Sequence, residues 1–567
     1  MKKKAFSVLS SVAILSTLLT PNAAETAAAS TTIPVILVPG IGGSQLWGIS
    51  NDYNGDSGNG TDVVWVDKVS DYGWDLLVDD EEVVYNLALK HVTGGQVSDV
   101  APLHSDARVW PIKDNYGLKG ISYLDADQWD ISSYYNHMID MMYSRGYIAG
   151  KTLFGLPYDW RQDYAKEFDN ITATINQALA ASGQSKVAIV AHSQGGLLLK
   201  SYLIAHPEMN AKIDRLITLG TPFLGAALAA RATSSKLGGY NLTLPVLDNS
   251  TGYEISKTAP AVYHLAPSME YEKLMFQKYG RATINSYNSP SYIPTNPTQG
   301  YSQLKTFESD KGLFDWSTNR HAAWDNTFPS VKRYHIVGDS VSTEVAYDYD
   351  YDWFWGDEVD YVMKAGDGTV PLISGQKPGL SGAPIYYVHS GASGEAVDHM
   401  NLVKDDNVIT KVLDLLGDGT VAIPGIDTTP NTSLDGTTFT AYALSGAPEE
   451  FDMEVVLTNQ DTGAQETYKV KNGKYVSEGT DTGVAVRTME LEDGKFDLQF
   501  LAPTNANVGI EVLNNKGSEL QFRTYETGKA VSKKSHYGLL KNAGQEKLQI
   551  KQNKGKSEVM KGTQKIK

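Results

Sequence analysis

Three residue types that together activate a hydroxyl occur in this chain in an order that suits nucleophilic acyl transfer. Ser193 lies in Val187-Ala188-Ile189-Val190-Ala191-His192-Ser193-Gln194-Gly195-Gly196. A serine hydroxyl is inert at neutral pH unless a histidine takes its proton and an acid holds that histidine in place. The candidate acid is Asp367, set between Gly366 and Gly368 and followed by Pro371; the candidate base is His399, in Val397-Asp398-His399-Met400-Asn401-Leu402. Each has a rival. Asp339 directly follows a predicted strand, and His389 ends the last predicted core strand. Outside a site, Asp339 would be a capping or solvated group. His192 adjoins the serine but should point away from it, His335 reads as a core residue within a strand, and Asp398 as an exposed neighbour of the base.

The elements around Ser193 decide what it can do. The β-branched run before it reads as a strand. The apolar run Leu197-Leu198-Leu199 to Ile204 reads as a helix, so the serine sits at a sharp strand-to-helix turn. This is the G-x-S-x-G elbow with alanine at the first glycine position. Small residues are required because the turn is strained and tightly packed, and the helix N-terminus favours developing negative charge. Upstream, Ile33-Pro34-Val35-Ile36-Leu37-Val38 is a buried-type strand running into Pro39-Gly40-Ile41-Gly42-Gly43-Ser44. A phosphate-cradling loop would need a following Gly-Lys-Ser/Thr, which is absent. The loop instead suits an oxyanion hole, with the N–H of Ile41 or Gly42 acting beside that of Gln194.

Strand and helix signals then alternate. Lys151–Leu156 and Lys212–Leu219 read as strands, residues 165–181 as a helix, Tyr334–Val337 and Ile385–Val388 as later strands, and Val408–Leu416 as a closing helix. Such alternation predicts a mostly parallel sheet with helices on both faces, and with the serine elbow and glycine loop the expected fold is an α/β hydrolase. The catalytic domain is placed at 30–420, with cap or lid insertions near 45–150 and 226–330. Residues 421–435 form a Pro/Thr/Gly/Asp linker. Short alternating runs over 436–530 predict an all-β, sandwich-like accessory domain. Residues 531–567 form a Lys-rich C-terminal segment.

Composition narrows the options. The chain has 567 residues, a net charge of −17 and no cysteine. Disulfides, thiolate metal sites and a cysteine nucleophile are therefore excluded. The acidic balance argues against nucleic acid as a partner. The lysines from Lys533 to Lys567 read as solvated surface, with contact to an anionic cell envelope as the functional reading. Residues 1–29, with Lys2-Lys3-Lys4, a short apolar run and Ala27-Ala28-Ala29, read as a secretory signal, so a secreted, extracellular protein is expected. Asp52, Asn54 and Asp56 imitate the start of a calcium loop, but Ser57 and Val63 stand where glycine and an acid are needed. Asp348, Asp350, Asp352 and Asp357 read as an exposed acidic loop. No metal and no cofactor are expected.

The motifs together resemble those of the family of lecithin:cholesterol acyltransferases and phospholipid:diacylglycerol acyltransferases, as a secreted bacterial member. The matching pieces run in order over about 33–416: Pro34 to Leu46, Pro157-Tyr158-Asp159-Trp160-Arg161, Ala191 to Gly196, Gly220-Thr221-Pro222, Gly366 to Val370 and Asp398-His399-Met400-Asn401. The resemblance implies a Ser193–Asp367–His399 triad, oxyanion amides at Gly42 and Gln194, and a lipid-ester substrate met at a membrane or micelle surface. Residues 47–74 and the β region fall outside it. The expected function is a secreted serine-dependent lipid acyl hydrolase or O-acyltransferase. A peptidase or amidase on the same fold, and a cell-surface binding protein with a vestigial hydrolase fold, are the alternatives.

Overall fold

In the computed structural model, the residues described are 32–49, 61–65, 80–104, 107–123, 133–240, 242, 249–288, 292–352, 356–377, 382–417, 419 and 421–431, together with the strands between 437 and 565. The expected signal segment and the calcium-like stretch 51–60 lie outside them.

A seven-stranded sheet organises the catalytic region. Its strands run, edge to edge, Ile426–Asp427, Ile385–Val388, Lys332–Gly338, Ile213–Leu219, Val187–His192, Val35–Val38 and Leu153–Gly155. All neighbours are parallel except the short Ile426–Asp427, which pairs antiparallel with Ile385–Val388. The strand Val187–His192 is buried along its whole length, as a central strand covered on both faces must be. The helices Phe168–Ser182, Gln194–Ala205 and Asp406–Leu416 join the sheet in one core through residues such as Ile171, Ile175, Leu198, Val408 and Leu415. This is the α/β-hydrolase fold.

The expected insertion at 226–330 is mostly helical, from Ala227–Ala232 to Lys311–Trp324. The expected acidic loop is something else. Val341–Asp352 and Gly356–Gly366 form a long antiparallel hairpin, and Ile284–Asn288 pairs parallel with its first strand. Asp348 is buried there, with an oxygen 2.8 Å from Nη2 of Arg281. Charge at every second position had suggested a solvated loop, but in a strand that period selects one face, and an arginine distant in sequence neutralises the buried carboxylate. Among the described residues no group of acids and histidines is gathered to hold a metal. Nor is any helix there long and apolar enough to cross a membrane.

In the C-terminal region two further sheets run from Thr437–Leu444 to Gln564–Lys565. The Lys-rich stretch after 530 contributes Ser535–Leu540, Glu546–Asn553 and Lys556–Lys561 to them. Its β pattern extends further than the sequence reading placed it, because the frequent lysines and short runs there drew the reading to charge rather than to the period of two.

Candidate active site

Ser193 is the hinge between Val187–His192 and Gln194–Ala205, with φ 52° and ψ −125°. It is one of three non-glycine residues with positive φ among those described, a conformation that is strained for a residue with a Cβ. Packing enforces it. A Cβ on Gly196 would fall 2.0 Å from Oγ1 of Thr221, and one on Gly195 2.4 Å from the carbonyl oxygen of Pro39. The Ser193 N–H donates to the carbonyl of Leu219 at 2.8 Å, which fixes the turn against the next strand.

His399 lies between the serine and an acid. Its Nε2 is 2.9 Å from Ser193 Oγ and its Nδ1 is 2.7 Å from Asp367 Oδ2. All three are buried: Asp367 fully, Ser193 and His399 to within a few per cent. Asp367 follows the hairpin strand Gly356–Gly366, so the structure that the acidic stretch builds is what delivers the acid. Its second oxygen accepts the N–H groups of Thr369 at 3.0 Å and Val370 at 2.6 Å. Those bonds leave Oδ2 facing the imidazole. The neighbouring glycines make room: a Cβ on Gly338 would lie 2.7 Å from Cβ of Asp367.

The rival acid and base pair with each other. Asp339 Oδ1 is 2.9 Å from Nδ1 of His389, and its Oδ2 accepts the Asn431 N–H. They form a separate, half-buried pair that ties this end of the sheet to residue 431. His192 engages Tyr134 and the His399 carbonyl. His335 meets Thr218 Oγ1 at 2.7 Å, and Asp398 caps Asn401.

The glycine loop packs directly against the elbow: a Cβ on Gly40 would lie 2.7 Å from Cβ of Ser193. Gly42 has φ 68°, and its carbonyl accepts from Nε1 of Trp65 at 2.6 Å. Gln194 opens its helix, so its N–H has no partner within it. Its side chain is spent elsewhere, donating to the Trp160 carbonyl at 3.0 Å. The Pro157–Arg161 motif braces this loop. Tyr158 donates its hydroxyl to the Pro39 carbonyl and its N–H to Ser44 Oγ, both at 3.0 Å. Arg161 is buried, grips Asp159 in a two-pronged pair and donates to the Leu87 carbonyl. Behind it, burial and the Asp159 charge raise the Glu167 carboxyl to about 7.

Sequence reading missed Tyr134 and Gly220. Tyr134 opens a run of helical apolar spacing, Tyr134 to Tyr147, in the expected cap insertion, and nothing in that run points to Gly40 or His192. Gly220 carried a signal as the first residue of Gly-Thr-Pro, and its role is steric: φ is 54°, and a Cβ would sit 2.9 Å from Asp367 Oδ2.

The fold and the family comparisons make this chain an enzyme of the acyl hydrolase and acyltransferase class. Residues 97–293, which include the elbow and the Pro157–Arg161 brace, match the family Lecithin:cholesterol acyltransferase. The relatives compared are eukaryotic. Lecithin-cholesterol acyltransferase-like 4 of Arabidopsis thaliana is 26% identical over 66% of this chain and 74% of its own length. Phosphatidylcholine-sterol acyltransferase of Papio anubis is 24% identical over 67% of this chain and 84% of its own. Phospholipase A(1) LCAT3 of Arabidopsis thaliana reaches 30% over 34% of this chain and 42% of its own. Among solved structures, the Tle4–Tli4 complex aligns with a TM-score of 0.44 at 14% identity, over 69% of this chain and 99% of that one.

Proposed function

We propose that this chain is a serine-dependent lipid acyl hydrolase or O-acyltransferase that works through an acyl-enzyme on Ser193. The observation that carries the reading is the continuous Ser193–His399–Asp367 contact, at 2.9 and 2.7 Å. His399 Nε2 accepts the serine proton as Oγ attacks the ester carbonyl, and Asp367 holds the imidazole in the tautomer that can do so. The N–H groups of Gly42 and Gln194 stabilise the oxyanion, an effect worth about 3–4 kcal/mol for one donor. The tetrahedral intermediate collapses, and His399 returns the proton to the departing alcohol. Water or a second alcohol then attacks the acyl-enzyme by the same route and frees Ser193.

The lipid character of the substrate is supported by the family match and by relatives named as phospholipases and acyltransferases. We assign secretion to the first 29 residues and interfacial action at a membrane or micelle to the lipid substrate. Contact with the cell envelope is assigned to the lysine-bearing C-terminal strands.

The test is mass spectrometry of products from phospholipid, triglyceride and simple esters, with and without an alcohol acceptor, for the full chain and for Ser193→Ala. Acyl release or transfer that disappears in Ser193→Ala is expected. Turnover of peptide or amide substrates with esters untouched would overturn it.

A further inference from the structure

Hydrogen bonds run from the glycine loop to the base loop without passing through Ser193. The Gly40 N–H donates to Tyr134 Oη at 3.0 Å, Tyr134 Oη is 2.5 Å from Nδ1 of His192, and Nε2 of His192 is 2.9 Å from the backbone carbonyl of His399. The protons can be assigned from this network and the burial of His192. A carbonyl only accepts, so Nε2 of His192 carries the hydrogen. Burial holds His192 far below its usual range, so it is neutral and its Nδ1 accepts. Tyr134 therefore donates its O–H to Nδ1, and its oxygen accepts the Gly40 N–H. Every partner is used once and none conflicts.

The placement is specific. Tyr134 and His192 are both 1% exposed. The Tyr134 ring lies on the glycine loop, where a Cβ on Gly43 would fall 2.4 Å from its Cε1. The His399 backbone is gripped on both sides: its N–H donates to the Asp367 carbonyl at 2.7 Å, and its own carbonyl receives His192. A buried polar chain of this kind gives little net stability over an apolar filling, but it fixes one arrangement of the groups it joins.

We infer that Tyr134 and His192 are positioning residues that hold the glycine loop and the base loop in mutual register, so that the amide donors and His399 address the same acyl carbon. The inference rests on the proposed reaction at Ser193. It assigns a task to the residue before the nucleophile and to a tyrosine in the cap insertion, neither of which touches Ser193 Oγ in the contacts described.

The two halves can be separated. His192→Gln can offer an N–H near the Nε2 position but no acceptor at the Nδ1 position; His192→Asn does the reverse. Tyr134→Phe removes only the hydroxyl. With a soluble nitrophenyl ester, Tyr134→Phe and His192→Gln should each lower kcat at least tenfold while KM stays within twofold. The double variant should be no slower than the worse single one, since both break the same link. His192→Asn should lose a similar factor through the other link. Values of kcat within twofold of the parent, with only the melting temperature lowered, would show a structural role and overturn the inference. A measurement on the unmutated protein is independent of folding in the variants: a 1H–15N imidazole spectrum should show His192 as the neutral Nε2–H tautomer, still neutral where a free histidine has taken up its proton. An Nδ1–H tautomer would overturn it as well. Failure of the reaction itself is distinguishable, because it appears as undiminished activity in Ser193→Ala whatever the Tyr134 and His192 variants do.

Discussion

His399 meets Asp367 twice: the imidazole Nδ1 lies 2.7 Å from Oδ2, and the His399 N–H donates to the Asp367 carbonyl oxygen at 2.7 Å. The backbone bond places the histidine and the side-chain bond orients it. Asp367→Asn separates the two. The N–H groups of Thr369 and Val370 will hold the amide oxygen, which turns the NH2 towards Nδ1. That forces the proton of His399 onto Nε2, where it cannot accept from Ser193. A kcat lowered by about 10³–10⁴ is expected. Thermal unfolding should stay close to the parent's, because the backbone bond and the volume are kept.

Gly220 tests the space around that contact. Alanine there would take a residue with a Cβ to φ 54° and bring the Cβ within 3.0 Å of His399 Nδ1. Gly238 is the control, with φ 82° and nothing near its missing Cβ. Both alanine variants carry backbone strain of about 1–2 kcal/mol. Only Gly220→Ala should lose activity, by tenfold or more, when steady-state kinetics and melting curves are compared. Equal activity loss in both would show that the crowding at Asp367 is irrelevant.

The Asp339–His389 pair should be dispensable for chemistry. Asp339→Asn and His389→Gln remove its ion-pair character while leaving the Ser193 contacts untouched. Ester turnover within about twofold of the parent is expected from both. A loss as large as that of Asp367→Asn would transfer the acid's role to Asp339.

Lys200, on the elbow helix, is 1% exposed; its ammonium has no hydrogen-bond partner among the described residues and sits 4.0 Å from the centre of the Phe328 ring. Burial, reinforced by the neighbouring Lys377 charge, pulls it down to about 7. The unfolded chain holds this proton up to about 10.4. Between these values the unfolded state binds more protons, so stability rises with pH across the window, and the penalty is fully present below pH 7. Lys200→Met should therefore be more stable than the parent by several kcal/mol, on the order of 4–5, at pH 6. Urea titrations at pH 6 and pH 10 should show that gap shrinking at the higher pH.

The strand, turn and helix around Ser193 were legible because each has a local cause: a β-branched run, small residues at a strained apex and an apolar helix. The order of serine, acid and histidine located the other two candidates, since the fold constrains that order. Other features had only long-range causes. Asp348 is buried because Arg281 meets it, and no local pattern announces that partner. The hairpin that ends at Asp367 was hidden by its own charges. Tyr134 matters through Gly40 and His192, and a lone tyrosine in an aromatic-rich insertion carries no signal for that. The last strands of the chain were hidden by the weight of their lysines, although Leu548 and Ile550 stand two apart between polar neighbours.

The central claim is that Ser193 is an activated nucleophile. The most direct measurement is intact-mass and peptide-mapping analysis after treatment with a fluorophosphonate probe. One adduct per chain, on the peptide containing Ser193, is predicted, with labelling abolished in Ser193→Ala and slowed strongly in Asp367→Asn. An unlabelled protein, or an adduct at any other serine that persists in Ser193→Ala, would contradict the account.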